Sequence, residues 1–126
     1  MTTADPKMLV LSYFQLWNTG DLALADGILG AQFVNHADSS VTGVDSLKSA
    51  VMRTRDADPE LHVFVDAVLG GPRMVTVVGR ARTRLGSGPA TWSAVWTFRL
   101  DHGIVEVWRH RDPQPNVDRV ETTNRG

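Results

Sequence analysis

The chain has 126 residues, 42% hydrophobic and 21% charged, with a formal net charge of −1 and no cysteine. A chain of this size holds one domain with a sizeable core and is too short for two, so a single domain over residues 1–126 is expected, its core at about 5–113 and a loose polar tail at 114–126. The composition excludes disulfides, thiolate catalysis and cysteine-based metal sites, and it is that of an ordinary globular protein rather than a disordered one.

No apolar run approaches the roughly 20 residues that span a bilayer, and the opening M-T-T-A-D-P lacks a basic, apolar signal segment. A cytoplasmic protein without membrane partners is expected. Charge is uneven: residues 1–70 carry four Lys or Arg against nine Asp or Glu, and the remainder carries nine against five. Arg80, Arg82 and Arg84 share a strand face but have no interleaved aromatics, so a partner interface or a solvated face is favoured over nucleic acid.

Asp5-Pro6 starts the first helix, with Asp as N-cap and Pro at the first helical position. Val10, Tyr13, Phe14 and Trp17 then recur at helical spacing until Gly20. Asp21 can cap a second helix through Leu29, with Leu22, Ala25 and Leu29 on its apolar side and Gly30 as its stop. Phe33-Val34-Asn35-His36 is too short for a helix and places His36 beside two apolar residues, a candidate that could equally be structural. Gly43 to Arg55 reads as a third helix with Val44, Leu47, Ala50 and Val51 inward and Thr42 or Asp45 near its start; Asp58-Pro59 ends it.

After Pro59 the period changes to two. Four strands are predicted, Leu61–Leu69, Arg73–Leu85, Ala90–Leu100 and Ile104–Arg111, joined by Gly70-Gly71-Pro72, Gly86-Ser87-Gly88 and Asp101-His102-Gly103. Connections this short require antiparallel neighbours. The fold class is therefore α+β, with three N-terminal helices packed on a curved antiparallel sheet.

The last strand carries the densest set of functional groups. Ile104, Glu106, Trp108, His110 and Asp112 share one face, and Val105, Val107, Arg109 and Arg111 share the other. Burying Glu, His and Asp in a plain core is unfavourable by several kcal/mol, so their face should meet a cavity or water. In the preceding strand Trp92, Ala94, Trp96, Phe98 and Leu100 form the buried face. A three-residue loop at Asp101–Gly103 sets Phe98 opposite Glu106, Trp96 opposite Trp108 and Ala94 opposite His110, and a two-residue loop separates them. The three-residue form is favoured because it gathers tryptophans and ionisable groups around one concavity. Trp96 and Trp108 on opposite faces would refute this pairing.

Three segments together resemble the SnoaL-like polyketide cyclases, within the superfamily named for nuclear transport factor 2: Trp17-Asn18-Thr19-Gly20-Asp21, Phe33-Val34-Asn35-His36 and Gly103 to Asp112. The resemblance implies a cone-shaped fold around an internal apolar pocket, usually a homodimer through the sheet's outer face, and catalysis by a pocket Asp without metal or cofactor. Asp112 matches the family's final Asp. Arg109 stands where an acidic residue is frequent, and the turn before Ile104 is one residue shorter.

The expected chemistry is proton abstraction beside a carbonyl, followed by cyclisation, isomerisation or dehydration of a hydrophobic, polyketide-like molecule. Asp112 or His110 would be the base and His36 a proton donor or orienting group. Tyr13, Trp17, Trp92, Trp96 and Trp108 would clasp a flat ring, with Glu106 beside them. His62, Asp66 and His102 are further ionisable groups. Histidine spacing does not suggest a metal site. The alternatives are a noncatalytic module binding a hydrophobic metabolite or assisting a biosynthetic enzyme, and a structural dimer module whose core is filled.

Overall fold

The computed structural model describes residues 5–38, 40–84 and 90–111. Asp112, Leu85, the turn 86–88 and the tail 114–126 lie outside the described residues.

Helix α1, Pro6–Thr19, begins where the Asp5 carboxylate accepts the Lys7 N–H at 3.0 Å, and it ends where Gly20, at φ 77°, donates to the Leu16 carbonyl. Val10, Tyr13, Phe14 and Leu16 are buried. Helix α2 is shorter than expected, Leu24–Ile28. Asp21 makes a turn instead of a cap, its carbonyl accepting from Leu24 N, and the buried residues are Ala25 and Ile28. Helix α3, Gly43–Ala57, buries Leu47, Ala50 and Val51 and runs two residues past Arg55, to where Asp58 N–H donates to the Thr54 carbonyl. Asn18 fastens the end of α1 to the sheet through two bonds with the Val63 backbone, at 2.8 and 3.1 Å.

The sheet has five strands, β1 (Leu29–Asn35), β2 (His62–Gly70), β3 (Met74–Thr83), β4 (Ala90–Leu100) and β5 (Ile104–Arg111), in the order β1-β5-β4-β3-β2. It is curved and unclosed. Strands β2 to β5 are antiparallel neighbours, as predicted, whereas β1 pairs parallel with β5 and makes the sheet mixed. Strand β1 escapes sequence reading because Gly30, a positive φ at Gln32 and an irregular register between Leu29 and Val34 break its alternation.

Phe98, Val75, Val77, Phe33, Val107 and Ile104 form the floor beneath α1, all at most 1% exposed. Each such side chain contributes about 1.5–3 kcal/mol.

The β4–β5 hairpin corrects the expected pairing. Leu100 pairs with Ile104 across Asp101–Gly103, as a three-residue loop requires, with His102 at φ 55° and Gly103 at φ 122°. A side chain at Gly103 would stand 2.5 Å from Gly30 N, so the close approach of loop and β1 also requires glycine there. The next pair, however, is Arg99 with Glu106, and Val105 is an extra residue on β5. This bulge inverts the strand beyond it. Phe98 lies opposite Val107, Trp96 opposite Arg109 and Ala94 opposite Arg111, while Thr97 faces Trp108 and Val95 faces His110. Trp96 and Trp108 are therefore on opposite faces, and the expected gathering of Glu106, Trp108 and His110 with Trp96 does not occur.

Candidate functional site

A cavity of about 670 Å³ lies between the helices and the concave side of the sheet. Small side chains at Ala50 of α3 and Ala81 of β3 line this volume and leave it unfilled. Tyr13, Phe14 and Trp17 of α1 and Trp92 and Trp96 of β4 supply aromatic walls. Trp92 and Trp96 lie with ring centroids 6.2 Å apart, and Phe14 meets Trp96 edge-on at 5.0 Å.

Polar groups enter from several elements. Tyr13 is buried among Phe14, Phe33 and Phe98, and this loss of water pushes its hydroxyl pKa up to about 12; a hydrogen bond with Trp17 and the charge of Arg109 act the other way and are smaller. At neutral pH the Tyr13 hydroxyl therefore keeps its proton. Asn35 of β1 is buried, and its Oδ1 accepts the Ala37 N–H at 2.9 Å.

Asp58, just past α3, is 2% exposed. Its Oδ2 accepts the Arg84 N–H at 3.0 Å, and its Oδ1 is buried with no hydrogen-bond partner among the described residues. A buried carboxylate oxygen without a donor is unfavourable by roughly 1–3 kcal/mol or more, so native structures rarely retain one without a use. Three arginines complete the wall: Arg53 from α3, and Arg109 and Arg111 from β5. Arg109 reaches solvent, yet partial burial, reinforced by the charge of Arg111, pulls its pKa below arginine's ordinary value.

Of the residues expected at the site, Tyr13, Trp17, Trp92 and Trp96 line this cavity. His36, Glu106, Trp108 and His110 do not; the bulge at Val105 turns the last three to the convex face. There His36 Nε2 bonds Glu106 Oε2 at 2.9 Å and its ring stacks on Trp108 at 4.9 Å, while Arg99 pairs with the other Glu106 oxygen. Arg99, then His36, hold the Glu106 carboxyl below its ordinary pKa. This cluster is a surface ion-pair network. His62 and Asp66 lie on β2, where Asp66 pairs with Arg80 at 2.9 Å, and His102 is solvated in its turn.

Sequence reading missed Asp58, which looked like a helix terminator, as well as Asn35, Arg53 and the cavity position of Arg109 and Arg111. The Asp-Pro pair gave no sign of burial. Only the unusual density of arginine in the last strand hinted at the rest.

The model of the SnoaL-like domain matches residues 10–110. The chain belongs to the SnoaL-like domain family. Comparison with curated proteins gives no match. Among solved structures, this SnoaL-like chain is similar to a SnoaL-like polyketide cyclase from Agrobacterium tumefaciens, with TM-score 0.76 at 10% identity over 95% of this chain and 99% of the other. It is similar to IdmH from Streptomyces antibioticus, a candidate polyketide cyclase, with TM-score 0.74 at 17% identity over 94% and 99%. It also resembles AclR from Streptomyces galilaeus, a candidate hydroxylase, with TM-score 0.69 at 18% identity over 95% and 87%. At such identities the likeness carries the fold, and a fold shared by different chemistries does not select one of them. Among the described residues no helix is long and apolar enough to cross a membrane.

Proposed function

We propose that this SnoaL-like protein is a cofactor-independent enzyme that performs acid–base chemistry on a flat, hydrophobic, polyketide-like molecule held in the cavity. One observation carries the reading: the aromatic walls bring in a phenol that stays protonated at neutral pH and a buried carboxylate with a free oxygen. In this mechanism Asp58 removes a proton beside a substrate carbonyl. Tyr13 donates its hydroxyl proton in a hydrogen bond to the enolate oxygen that forms. Ring closure, isomerisation or loss of water then follows from the substrate's own substituents. Asp112, the base implied by the family resemblance, enters as the competing carboxylate, and substitution separates the two.

The test is incorporation of solvent deuterium beside the carbonyl of aromatic β-dicarbonyl compounds, followed by NMR, with tryptophan fluorescence as an independent measure of binding. Asp58→Asn should lower exchange about 10²- to 10⁴-fold with binding retained, and Tyr13→Phe should lower it by a smaller factor. Loss with Asp112→Asn alone transfers the base to Asp112. Binding without any exchange supports the second reading, a noncatalytic binding module, which is favoured by the position of His36 and His110 outside the cavity.

We also propose a homodimer through the convex face, where the paired Val78 and Val95 are 39% and 36% exposed. Sedimentation of the wild type as a monomer at micromolar concentration would overturn this.

A further inference from the structure

Four arginines elsewhere in the molecule are held by carboxylates or carbonyls. Arg55 donates to the Leu61 and Pro59 carbonyls at 2.6 Å each, Arg80 pairs with Asp66 at 2.9 Å, Arg84 with Glu60 at 3.5 Å, and Arg99 with Glu106. Arg53, Arg109 and Arg111 all line the cavity, and none makes a hydrogen bond or salt bridge to a carboxylate or carbonyl among the described residues. Of the two carboxylates sharing that wall, Asp38 attracts Arg53 and Arg109 through space but forms no salt bridge with them. Asp38 accepts from Ser40 N and Oγ at 3.1 and 2.6 Å, and Asp58 accepts from Arg84 N.

Arg109 and Arg111 are two residues apart on the concave face, and both guanidinium groups lie over the ring of Trp92, at 5.5 and 4.4 Å from its centroid. Two like charges against one ring repel each other. A planar guanidinium fork matches a carboxylate in two-bond geometry, and it does so best where water is partly excluded. An anion placed between them would remove the repulsion and leave the ring face of Trp92 available for stacking.

We propose that the molecule this cavity takes is an aromatic carboxylate, its ring against Trp92 and its carboxylate held by Arg109 and Arg111, with Arg53 also lining the cavity. The proposal rests on the cavity being a ligand site, as in the function proposed above, and it names the class of ligand. It does not depend on catalysis. The reaction that supplies this ligand would then release a free acid, as hydrolysis of a thioester or ester does.

The test compares naphthoate with its neutral methyl ester by calorimetry and tryptophan quenching on the full chain. The acid should bind at least about tenfold more tightly than the ester, the difference expected of hydrogen bonds to charged groups, and added salt should weaken the acid alone. Arg111→Gln and Arg109→Gln should each reduce acid binding about tenfold and leave ester binding within about twofold. Arg82→Gln, whose guanidinium lies over Phe64 away from the cavity, should change neither. Equal binding of acid and ester overturns the anion assignment and leaves the cavity reading intact. Acid preference that survives both substitutions also overturns it, because the anion then binds elsewhere. Failure of both compounds to bind overturns this proposal and the cavity reading together.

Discussion

Raising the pH tests the least ambiguous property of the cavity, the protonation of Tyr13. The phenol is 3% exposed and ringed by Phe14, Phe33 and Phe98, with centroids 5.3 to 6.4 Å away, so phenolate has almost no water to stabilise it. Burial raises the pKa from 10.0 to about 12 against the smaller opposing effects of Trp17 and Arg109. With each pH unit equivalent to about 1.4 kcal/mol, ionising Tyr13 in the folded protein is about 3 kcal/mol harder than in the unfolded chain.

The sign follows from linkage. Above pH 10 the unfolded chain releases a proton that the folded one retains, so stability falls as pH rises from about 10 to about 12 and is unaffected below that range. Because the chain holds one tyrosine, tyrosinate absorbance reports this group alone. The native midpoint should lie near 12 or coincide with alkaline unfolding, and it should return to about 10 in denaturant. Arg109→Gln should move the native midpoint further up. A native midpoint near 10 with unchanged far-ultraviolet circular dichroism would refute the burial argument.

Phe98→Ala removes a fully buried ring that packs on Tyr13 and Phe14 at 5.3 and 5.6 Å. Urea denaturation should show a loss of about 3–5 kcal/mol, and a loss below about 1 would place the floor of the core elsewhere. Gly79→Ala would put a methyl group 2.4 Å from the Phe64 carbonyl oxygen and 3.3 Å from the Trp96 ring. Overpacking of about 1–3 kcal/mol is expected, and an unchanged midpoint would show that β2 and β3 separate freely. For Glu106→Gln, the wild-type carboxyl is held below its ordinary value of 4.5 by Arg99 and His36, so its contribution is present above that pH and fades as the solution is acidified further. The melting temperatures of the two proteins should converge in acid, and a gap that persists at the lowest pH points to packing instead of charge.

Helix α1 and the four consecutive strands were legible because their signals are local: a cap, a helical period, then alternation broken by glycine. The buried side of β4 could be read for the same reason, since Ala94, Trp96, Phe98 and Leu100 are all buried. Tyr13, Trp17, Trp92 and Trp96 were found at the cavity because large aromatics on inward stripes either fill a concavity or line it. Strand β1 was not legible, because its pairing with β5 depends on chain more than sixty residues away. Asp58 was hidden for a related reason. Its burial is set by Arg84 N, 26 residues later, and nothing near Asp58 in the chain encodes that contact. The placement of Glu106, Trp108 and His110 failed at a single residue, Val105, whose insertion leaves the loop intact and changes everything after it.

The bulge acts on strand β5 as a frameshift acts on a message. Upstream of it nothing is altered, while downstream every residue changes side, so the cavity receives Val107, Arg109 and Arg111 and the surface receives Glu106, Trp108 and His110. Loss of one residue at this point would exchange the two alphabets at once, converting a cationic wall into one bearing a carboxylate and an imidazole. The scaffold thus carries a second set of groups on its outer face, one deletion from the cavity.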